Sequence, residues 1–184
     1  MIFHETSLKG SYILEMEKVE DERGFFARMW CKEELESHNL DKNLVQCSLS
    51  FNRCKGTLRG MHFQIPPHGE TKLVRCTKGA IFDVIIDVRA KSSTYLKWMG
   101  IELSEENKKM IYIPKGFAHG FQTLVGNSEV LYFISDSYHP EASRGINWKD
   151  PAINITWPRV KERIISKRDQ NWPMFAPGQP PWFL

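Results

Sequence analysis

The sequence has no long apolar run, no basic leader and no marked excess of either charge. No stretch approaches the ~20 apolar residues of a transmembrane helix, and residues 1–5 lack the pattern of a signal peptide. Basic residues number 25 against 22 acidic ones, a net charge of +3. A nucleic-acid binder must neutralise many phosphates and needs more positive charge than this. We therefore expect a cytoplasmic protein that binds neither membranes nor nucleic acid.

Cysteine is scarce and shows no pairing pattern. The four residues, Cys31, Cys47, Cys54 and Cys76, form no C-x-x-C motif. Scattered cysteines in a chain without a secretion signal are typical of reduced thiols. We expect them to serve packing.

Helical periodicity is also rare, and the clearest helix candidate is the short segment 32–38. An α/β fold would need helical periodicity repeated between the strands. Instead, short alternating or aromatic-rich segments are separated by Gly, Pro or Asn, which predicts an all-β sandwich or barrel. The predicted strands are 12–16, 24–30, 45–51, 72–76, 80–88, 95–103, 110–113, 117–124 and 129–135.

The C-terminal part of the chain, from about residue 148 to 184, has a different character. Its prolines prevent regular strand pairing. Yet Trp157, Trp172, Trp182 and Phe183 would be costly to leave in water. We predict one domain over residues 1–184, with 148–184 as an extended arm wrapped over the barrel or a partner subunit.

Two histidines are candidates for the interior of the barrel. The segment Pro114-Lys-Gly-Phe-Ala-His119 is typical of the second half-motif of cupin jelly rolls. The first half-motif of metal-binding cupins has two histidines, whereas Gly60-Met-His62-Phe-Gln64 has one, and His68 lies in a predicted loop. Because a metal site needs three or four inward ligands, we predict no metal and no cofactor. Each histidine alone could equally be a hydrogen-bonded core residue.

The spacing around Gly60 carries a structural prediction. Arg59 and His62 are three residues apart, so they share one face of a strand only if the strand bulges or bends. Gly60 can supply that bulge. Lys72 begins the next predicted strand and can reach the same space.

Several segments together resemble the dTDP-4-dehydrorhamnose 3,5-epimerase family, in order and over nearly the whole chain. The resemblance implies a double-stranded β-helix, that is, a cupin-like jelly roll with short peripheral helices, and a homodimer without metal. It also implies inversion of C3 and C5 of a 4-keto-6-deoxyhexose carried on a nucleoside diphosphate, for activated rhamnose or a related deoxysugar. The segments are Gly56-Thr-Leu-Arg-Gly-Met-His-Phe-Gln64, Lys72-Leu-Val-Arg75, Asp83-Val-Ile-Ile-Asp-Val-Arg89, Ser93-Thr-Tyr95, Ile113-Pro-Lys-Gly-Phe-Ala-His-Gly-Phe121, Trp148-Lys-Asp-Pro151, Trp157-Pro158 and Ser166-Lys-Arg-Asp169.

Four residues receive catalytic roles from this resemblance. His62 is the base that removes a proton beside the ketone, and Asp169 holds its imidazole in one tautomer. Tyr132 returns the proton on the opposite face, with Tyr138 as its rival. Lys72 places positive charge near the enolate oxygen. Taken singly, Asp169 would be a surface carboxylate, Lys72 a solvated strand end and Tyr132 a core aromatic.

The resemblance also implies residues that bind the nucleotide sugar. Arg59 would bind the diphosphate, and His119 would line the sugar pocket. Arg23 and Gln46 correspond to family residues that contact the nucleotide, Arg23 across the dimer. Three positions on the nucleotide side depart from the family pattern: Arg28 for a usual glutamate, Ser48 for asparagine and Ser143 for an acid. We hypothesise that the enzyme prefers a nucleotide or sugar other than the dTDP-4-keto-6-deoxyglucose of the family.

Three alternatives stay open at this point. A C3-only or C5-only epimerase would use the same histidine and aspartate. A metal-dependent cupin would hold a stoichiometric metal. A sugar-binding module would use the barrel without chemistry, but gives no reason for His62, Lys72, Tyr132 and Asp169 to occur together.

Overall fold

The structure, a computed structural model, describes residues 1–175 and is built mostly of antiparallel strands. Fourteen strands and two short helices occur in this part of the chain. No helix within it is long and apolar enough to cross a membrane. The elements are β1 Ile2–Glu5, β2 Tyr12–Glu15, β3 Lys18–Asp21, β4 Gly24–Ala27, α1 Lys32–Ser37, β5 Gln46–Asn52, β6 Thr57–Gln64, β7 Lys72–Lys78, β8 Ala80–Asp87, β9 Trp98–Ser104, β10 Met110–Ile113, β11 Phe117–Thr123, β12 Ser128–Ile134, β13 Ser143–Gly145, β14 Ile164–Ile165 and α2 Lys167–Gln170.

Two large sheets face each other. The first has the strand order β1-β2-β10-β7-β12-β5, and the second β13-β6-β11-β8-β9, with β14 parallel to β6. A separate hairpin, β3–β4, projects as its own two-stranded sheet. Two antiparallel sheets with strands that alternate between them form a jelly roll. The all-β, cupin-like fold predicted from the sequence is confirmed, and helices are as short and peripheral as expected.

Alternation along the strands determines where the core lies. Val74 and Cys76 of β7 point into the space between the sheets, where they meet Ile81 and Ile85 of β8. Cys76 is the buried thiol among the four free cysteines, and burial raises its pKa to about 11. Cys47 and Cys54 are exposed, so packing accounts for Cys76 and not for these two.

The outer faces of the two sheets are covered differently. Ile153 and Trp157, from the segment after β13, pack on the outer face of the second sheet against Met61 and Phe63. These two residues of the predicted arm pack on the sheet of their own chain, while Trp182 and Phe183 lie outside the described residues. On the first sheet, Leu35 of α1 packs against Leu14 and Leu73.

Several elements were not predicted from the sequence. Strands β1, β3, β13 and β14 and helix α2 are too short for a period to show. Strand β4 ends at Ala27, before the predicted limit at residue 30, because β3–β4 is a four-residue ladder.

Gly60 forms the predicted bulge in β6. The register with β11 pairs His62 with His119 but Arg59 with Phe121, so one residue is inserted between the pairs. Gly60 has φ +120°, and a Cβ built on it would lie 2.6 Å from Gly120 Cα. The bulge places Arg59 and His62 on the same inward face, as the sequence predicts.

Gly60→Ala is expected to lower the free energy of unfolding by about 2 kcal/mol or more, because the methyl group meets backbone that cannot move aside. Gly24→Ala is a matched control, since Gly24 has φ +126° but a methyl group added there would meet nothing within 4 Å. It should lose about 1 kcal/mol, the cost of the backbone conformation alone. Urea unfolding of both variants measures the difference. Equal losses would mean that close approach of β6 and β11 is not what requires glycine.

Candidate active site

A cavity of about 610 Å³ opens between the two sheets. This volume falls in the range of small-molecule sites. Strands β5, β7 and β12 form one wall and β6 and β11 the other, while α2 closes one side. Most of the residues singled out from the sequence line it: Gln46, Ser48, Arg59, His62, Lys72, His119, Tyr132, Tyr138, Ser143 and Asp169.

His62 and Asp169 form a hydrogen-bonded pair at this cavity. His62 Nε2 lies 2.7 Å from Asp169 Oδ1, although the residues are 107 positions apart. Asp169 is on α2, whose N-cap Ser166 accepts the Asp169 N–H at 3.1 Å. Gly60 N–H donates to Oδ2 at 3.2 Å and Trp172 Nε1 to Oδ1 at 3.2 Å. Taken singly, Asp169 is expected to be a surface carboxylate, but in the structure it is only 4% exposed.

These donors keep the Asp169 carboxylate ionised. Burial alone would raise its pKa, but the hydrogen bond and charge of His62, with the Gly60 and Trp172 N–H groups, hold the pKa below the usual value. The carboxylate therefore accepts a hydrogen bond from Nε2–H of the ring. With Nε2–H directed at Asp169, Nδ1 is the ring nitrogen with a free lone pair.

His119 belongs to a second histidine–aspartate pair, deeper in the barrel. His119 Nε2 lies 2.8 Å from Asp83 Oδ2, and both residues are buried. Burial raises the pKa of Asp83, and His119 partly offsets this. Asp83 Oδ1 has no hydrogen-bond partner within residues 1–175. Sequence analysis missed Asp83. It alternates with the core residues Ile81 and Ile85, so an acid at this position predicts a buried carboxylate that needs a partner.

Lys72 is fixed by a neighbour that the sequence analysis also missed. Lys72 Nζ lies 2.7 Å from Glu70 Oε1, and the two side chains are only 10% and 12% exposed. Gln64 Nε2 donates to the other Glu70 oxygen at 3.3 Å. The ammonium of Lys72 therefore lies inside the cavity with its counter-ion beside it, not at a solvated strand end.

The two tyrosines have different surroundings. Tyr132 points inward from β12, packs against the core and makes an edge contact with His119 at 6.0 Å between ring centroids. Burial and the charge of Asp83 raise its pKa well above the usual value. Tyr138 is 55% exposed and lies at the rim, where Arg168 Nη1 donates to its hydroxyl at 3.2 Å.

Two arginines supply positive charge to the cavity. Arg59 Nε donates to Asn52 Oδ1 at 2.8 Å. Arg168, which the sequence analysis did not single out, donates to Ser143 Oγ at 2.8 Å and stacks over Trp172. Because Ser143 is neutral, it leaves the charge of Arg168 uncompensated at this contact.

Arg23 and Arg28 do not reach the cavity of their own chain. Arg23 lies in the turn of the β3–β4 hairpin and pairs with Asp21. Arg28 donates to Glu34 Oε1 of α1 at 2.8 Å. Both guanidinium groups are solvent-exposed, at 83% and 60%.

A group of side chains with the spacing of metal ligands lies at the edge of the cavity, not among the residues that line it. Within residues 1–175, three side chains, His68, Asp136 and His139, place ligand atoms within 4.8 Å of one another. His62 and His119 instead each direct one ring nitrogen at a buried carboxylate.

Comparison with known proteins gives one consistent result. The family model described as dTDP-4-dehydrorhamnose 3,5-epimerase matches residues 5–177. A relative of that name from Methanothermobacter thermautotrophicus is 44% identical over 173 residues, covering 92% of each chain. The crystal structure of such an epimerase from Elizabethkingia anophelis superposes with a TM-score of 0.92 at 37% identity, covering 95% and 96% of the two chains.

A further structure contains ligands. The epimerase from Bacillus anthracis, with TDP and PPi bound, has a TM-score of 0.90 at 38% identity and covers 95% of this chain and 99% of its own. The family match spans β2 to α2 and therefore includes the strands that line the cavity. The chain is a member of the dTDP-4-dehydrorhamnose 3,5-epimerase family and hence an isomerase.

Proposed function

We propose that the protein inverts C3 and C5 of dTDP-4-dehydro-6-deoxy-D-glucose, giving dTDP-4-dehydro-L-rhamnose, without metal or cofactor. The observation that carries this proposal is that a histidine and a tyrosine face one cavity from opposing sheets. His62 lies on β6 of the second sheet and Tyr132 on β12 of the first, and both line one cavity. A sugar ring between them has one of the two groups on each face.

The base would act on a carbon beside the ketone. A C–H bond there is weakly acidic because its loss gives an enolate. In our proposal, His62 Nδ1 takes the proton, and ionised Asp169, 2.7 Å from Nε2, stabilises the imidazolium that forms. The Lys72 ammonium, held by Glu70, lies on the same sheet as Tyr132 and offers charge to the enolate oxygen.

The acid would complete the inversion from the other face. Because its pKa is raised, Tyr132 stays protonated throughout the neutral range and reaches the enolate as an acid. The proton goes from the phenol to carbon. The phenolate then regains a proton and the His62 imidazolium releases one to solvent, so both groups are reset before the second carbon reacts. His119, in edge contact with Tyr132 and bonded to Asp83, shapes the wall beside the sugar.

The nucleotide diphosphate would bind at the arginine-lined end. We propose that Arg59 and Arg168 bind its oxygens, since guanidinium groups match phosphate geometry. Gln46 and Ser48 line the cavity from β5 and would contact the nucleoside. Arg28 pairs with Glu34 and is outside the cavity, so its departure from the family pattern does not by itself alter the base-binding surface of this chain.

We further propose that the protein is a homodimer. Strand β5 is at the edge of its sheet and exposes Leu49 and Phe51, at 60% and 46%, next to an outer face only partly covered by α1. Phe26 of the projecting hairpin is 76% exposed. A second copy would cover these apolar side chains, and the exposed Arg23 of the hairpin would be available to the nucleotide of the neighbouring chain.

Incubation with dTDP-4-keto-6-deoxyglucose in deuterated water tests the proposed reaction. Enzyme-dependent deuterium incorporation at both C3 and C5, seen by proton NMR and mass spectrometry, is expected, with full rate retained in chelator. Incorporation at one carbon would identify a C3-only or C5-only epimerase. The UDP form of the same sugar, run in parallel, tests the hypothesis that Arg28, Ser48 and Ser143 alter the nucleotide preference. Under the present proposal it reacts at least tenfold more slowly, and an equal or faster rate would support the altered preference instead. Absence of exchange with every nucleotide would contradict the proposal.

A further inference from the structure

Two loops meet at the rim of the cavity and bring together the side chains here called the histidine cluster: His68, Asp136 and His139. His68 lies between β6 and β7, and the other two lie between β12 and β13. His68 Nδ1 is 3.5 Å from Asp136 Oδ2, and His139 Nε2 is 4.0 Å from Asp136 Oδ1. No step of the proposed epimerase reaction uses any of the three.

A buried amide fixes the backbone of both loops. Gln64, 3% exposed, donates through Nε2 to His68 O and to Ser137 O, each at 3.1 Å. Its Oε1 accepts the N–H of His139 at 2.6 Å. The two loops are therefore attached to the same side chain of β6, and the histidine cluster is not a chance meeting of mobile surface groups.

The donor set suits a zinc-class divalent ion. Zinc takes imidazole nitrogen and carboxylate oxygen at about 2.0–2.2 Å in tetrahedral geometry, which places ligand atoms about 3.3 Å apart. The two rings approach different oxygens of Asp136, at 3.5 and 4.0 Å. With one ligand atom from each residue, all three lie within 4.8 Å of one another, so they must move together by up to about 1.5 Å to bind one ion. The rings are stacked, with centroids 3.5 Å apart, and must turn to direct their lone pairs at one ion. Both are about 30% exposed and have room to do so.

An outer carboxylate completes the pattern. Glu141 Oε1 lies 3.1 Å from His139 Nδ1, the nitrogen that faces away from Asp136. Histidine ligands commonly donate their second N–H to such a carboxylate, which fixes the tautomer and strengthens the ligand. The charges of Asp136 and Glu141 also balance that of a dication.

We propose that His68, Asp136 and His139 bind one Zn²⁺ or a similar transition-metal ion at the cavity rim, with water in the fourth position. The ion would join the loop after β6 to the loop after β12, which carries Tyr138 at the rim. Its role is to stabilise the rim, and it takes no part in proton transfer. The inference is independent of the proposed function, because it rests on residues outside the catalytic set.

Metal titration of chelator-treated protein tests the proposal. Calorimetry with Zn²⁺ should show one equivalent bound per chain, and Co²⁺ should give the visible absorption of a tetrahedral nitrogen–oxygen site. A hundredfold excess of Zn²⁺ over the dissociation constant should raise the melting temperature by about 5–10 °C. His68→Ala and His139→Ala should each weaken binding at least tenfold and abolish this rise.

The control is His4→Ala. His4 also faces a carboxylate, Glu15, at 3.8 Å, but on the distant strand β1. This variant should bind metal like the wild type, and all variants should melt alike without metal. Absence of saturable binding would overturn the proposal. So would binding that survives both cluster substitutions, which would place the ion elsewhere, for example on the exposed thiols Cys47 or Cys54.

Discussion

His62→Ala is expected to lower the rate of epimerisation about 10³- to 10⁴-fold, while the affinity for dTDP changes little. A positioned base contributes a factor of about 10²–10⁴. The hydrogen bond to Asp169 also orients the His62 ring, so if His62 is the base, as proposed, the loss should lie at the upper end. The measurement is deuterium incorporation at C3 and C5 under single-turnover conditions, with dTDP binding followed by calorimetry.

Asp169→Asn separates the negative charge of the carboxylate from the hydrogen bond that orients His62. His62 and Trp172 both donate to Oδ1, so the amide oxygen takes that place, its NH2 faces the Gly60 N–H, and the charge that stabilises the imidazolium is lost. We expect a loss of about 10²-fold or more in exchange rate with unchanged dTDP affinity. Ser166 and Trp172 still hold α2 in place, so the melting temperature should fall only modestly.

The surface histidine variant His4→Ala serves as the control and should retain full activity. Exchange that persists at wild-type rate in His62→Ala would exclude His62 as the base. Residual exchange confined to one carbon would instead assign a different base to the other carbon.

The resemblance to the family, not strand alternation, identified Gln46 and Ser48 as site residues. In β5 these polar side chains face the cavity, whereas the alternating apolar residues Leu49 and Phe51 are exposed, so alternation alone would have chosen the wrong face. The spacing of Arg59 and His62 required a bulge, and Gly60 provides it. Such inferences work because a strand has only two faces, so one inward residue determines its neighbours.

What the sequence could not show depends on contacts between distant elements. Helix α2 has four residues, too few for a period, yet it buries Asp169 against β6. The same helix brings Arg168 to the cavity. The roles of Glu70 and Asp83 could not be predicted, because they depend on contacts with Lys72 and His119 that only the folded chain forms. Arg23 and Arg28 point away from the cavity of their own chain, and under the proposed homodimer their positions relative to a nucleotide would depend on a second chain.

Tyr132→Phe is expected to abolish inversion but to leave proton exchange. The variant keeps the ring that packs against the core and loses only the hydroxyl, so the fold should be preserved. His62 can still form the enolate and return a deuteron to the face from which it took the proton. Product formation should fall about 10²- to 10⁴-fold, whereas deuterium should still enter the recovered substrate with its configuration unchanged.

Tyr138→Phe is the matched control, because it removes the same atom from the rival position. The Tyr138 hydroxyl bonds to Arg168 at the exposed rim, and the same bond lowers its pKa. We expect kcat within about threefold of the wild type and a modest rise in KM, since Arg168 loses one of its two neutral partners. Chiral analysis of the sugar product, beside mass spectrometry of recovered substrate, distinguishes exchange from inversion.

The two tyrosine variants give opposite predictions for the two assignments. If Tyr138→Phe stops inversion and Tyr132→Phe does not, the acid is at the rim and enters the cavity only when substrate binds. If both variants invert normally, the proton on the far face comes from water, and the buried hydroxyl of Tyr132 serves packing alone. The proposal expects that Tyr132→Phe exchanges protons without inversion while Tyr138→Phe inverts normally. That result requires an acid on the sheet opposite His62, because only a donor on that side can complete the stereochemical change.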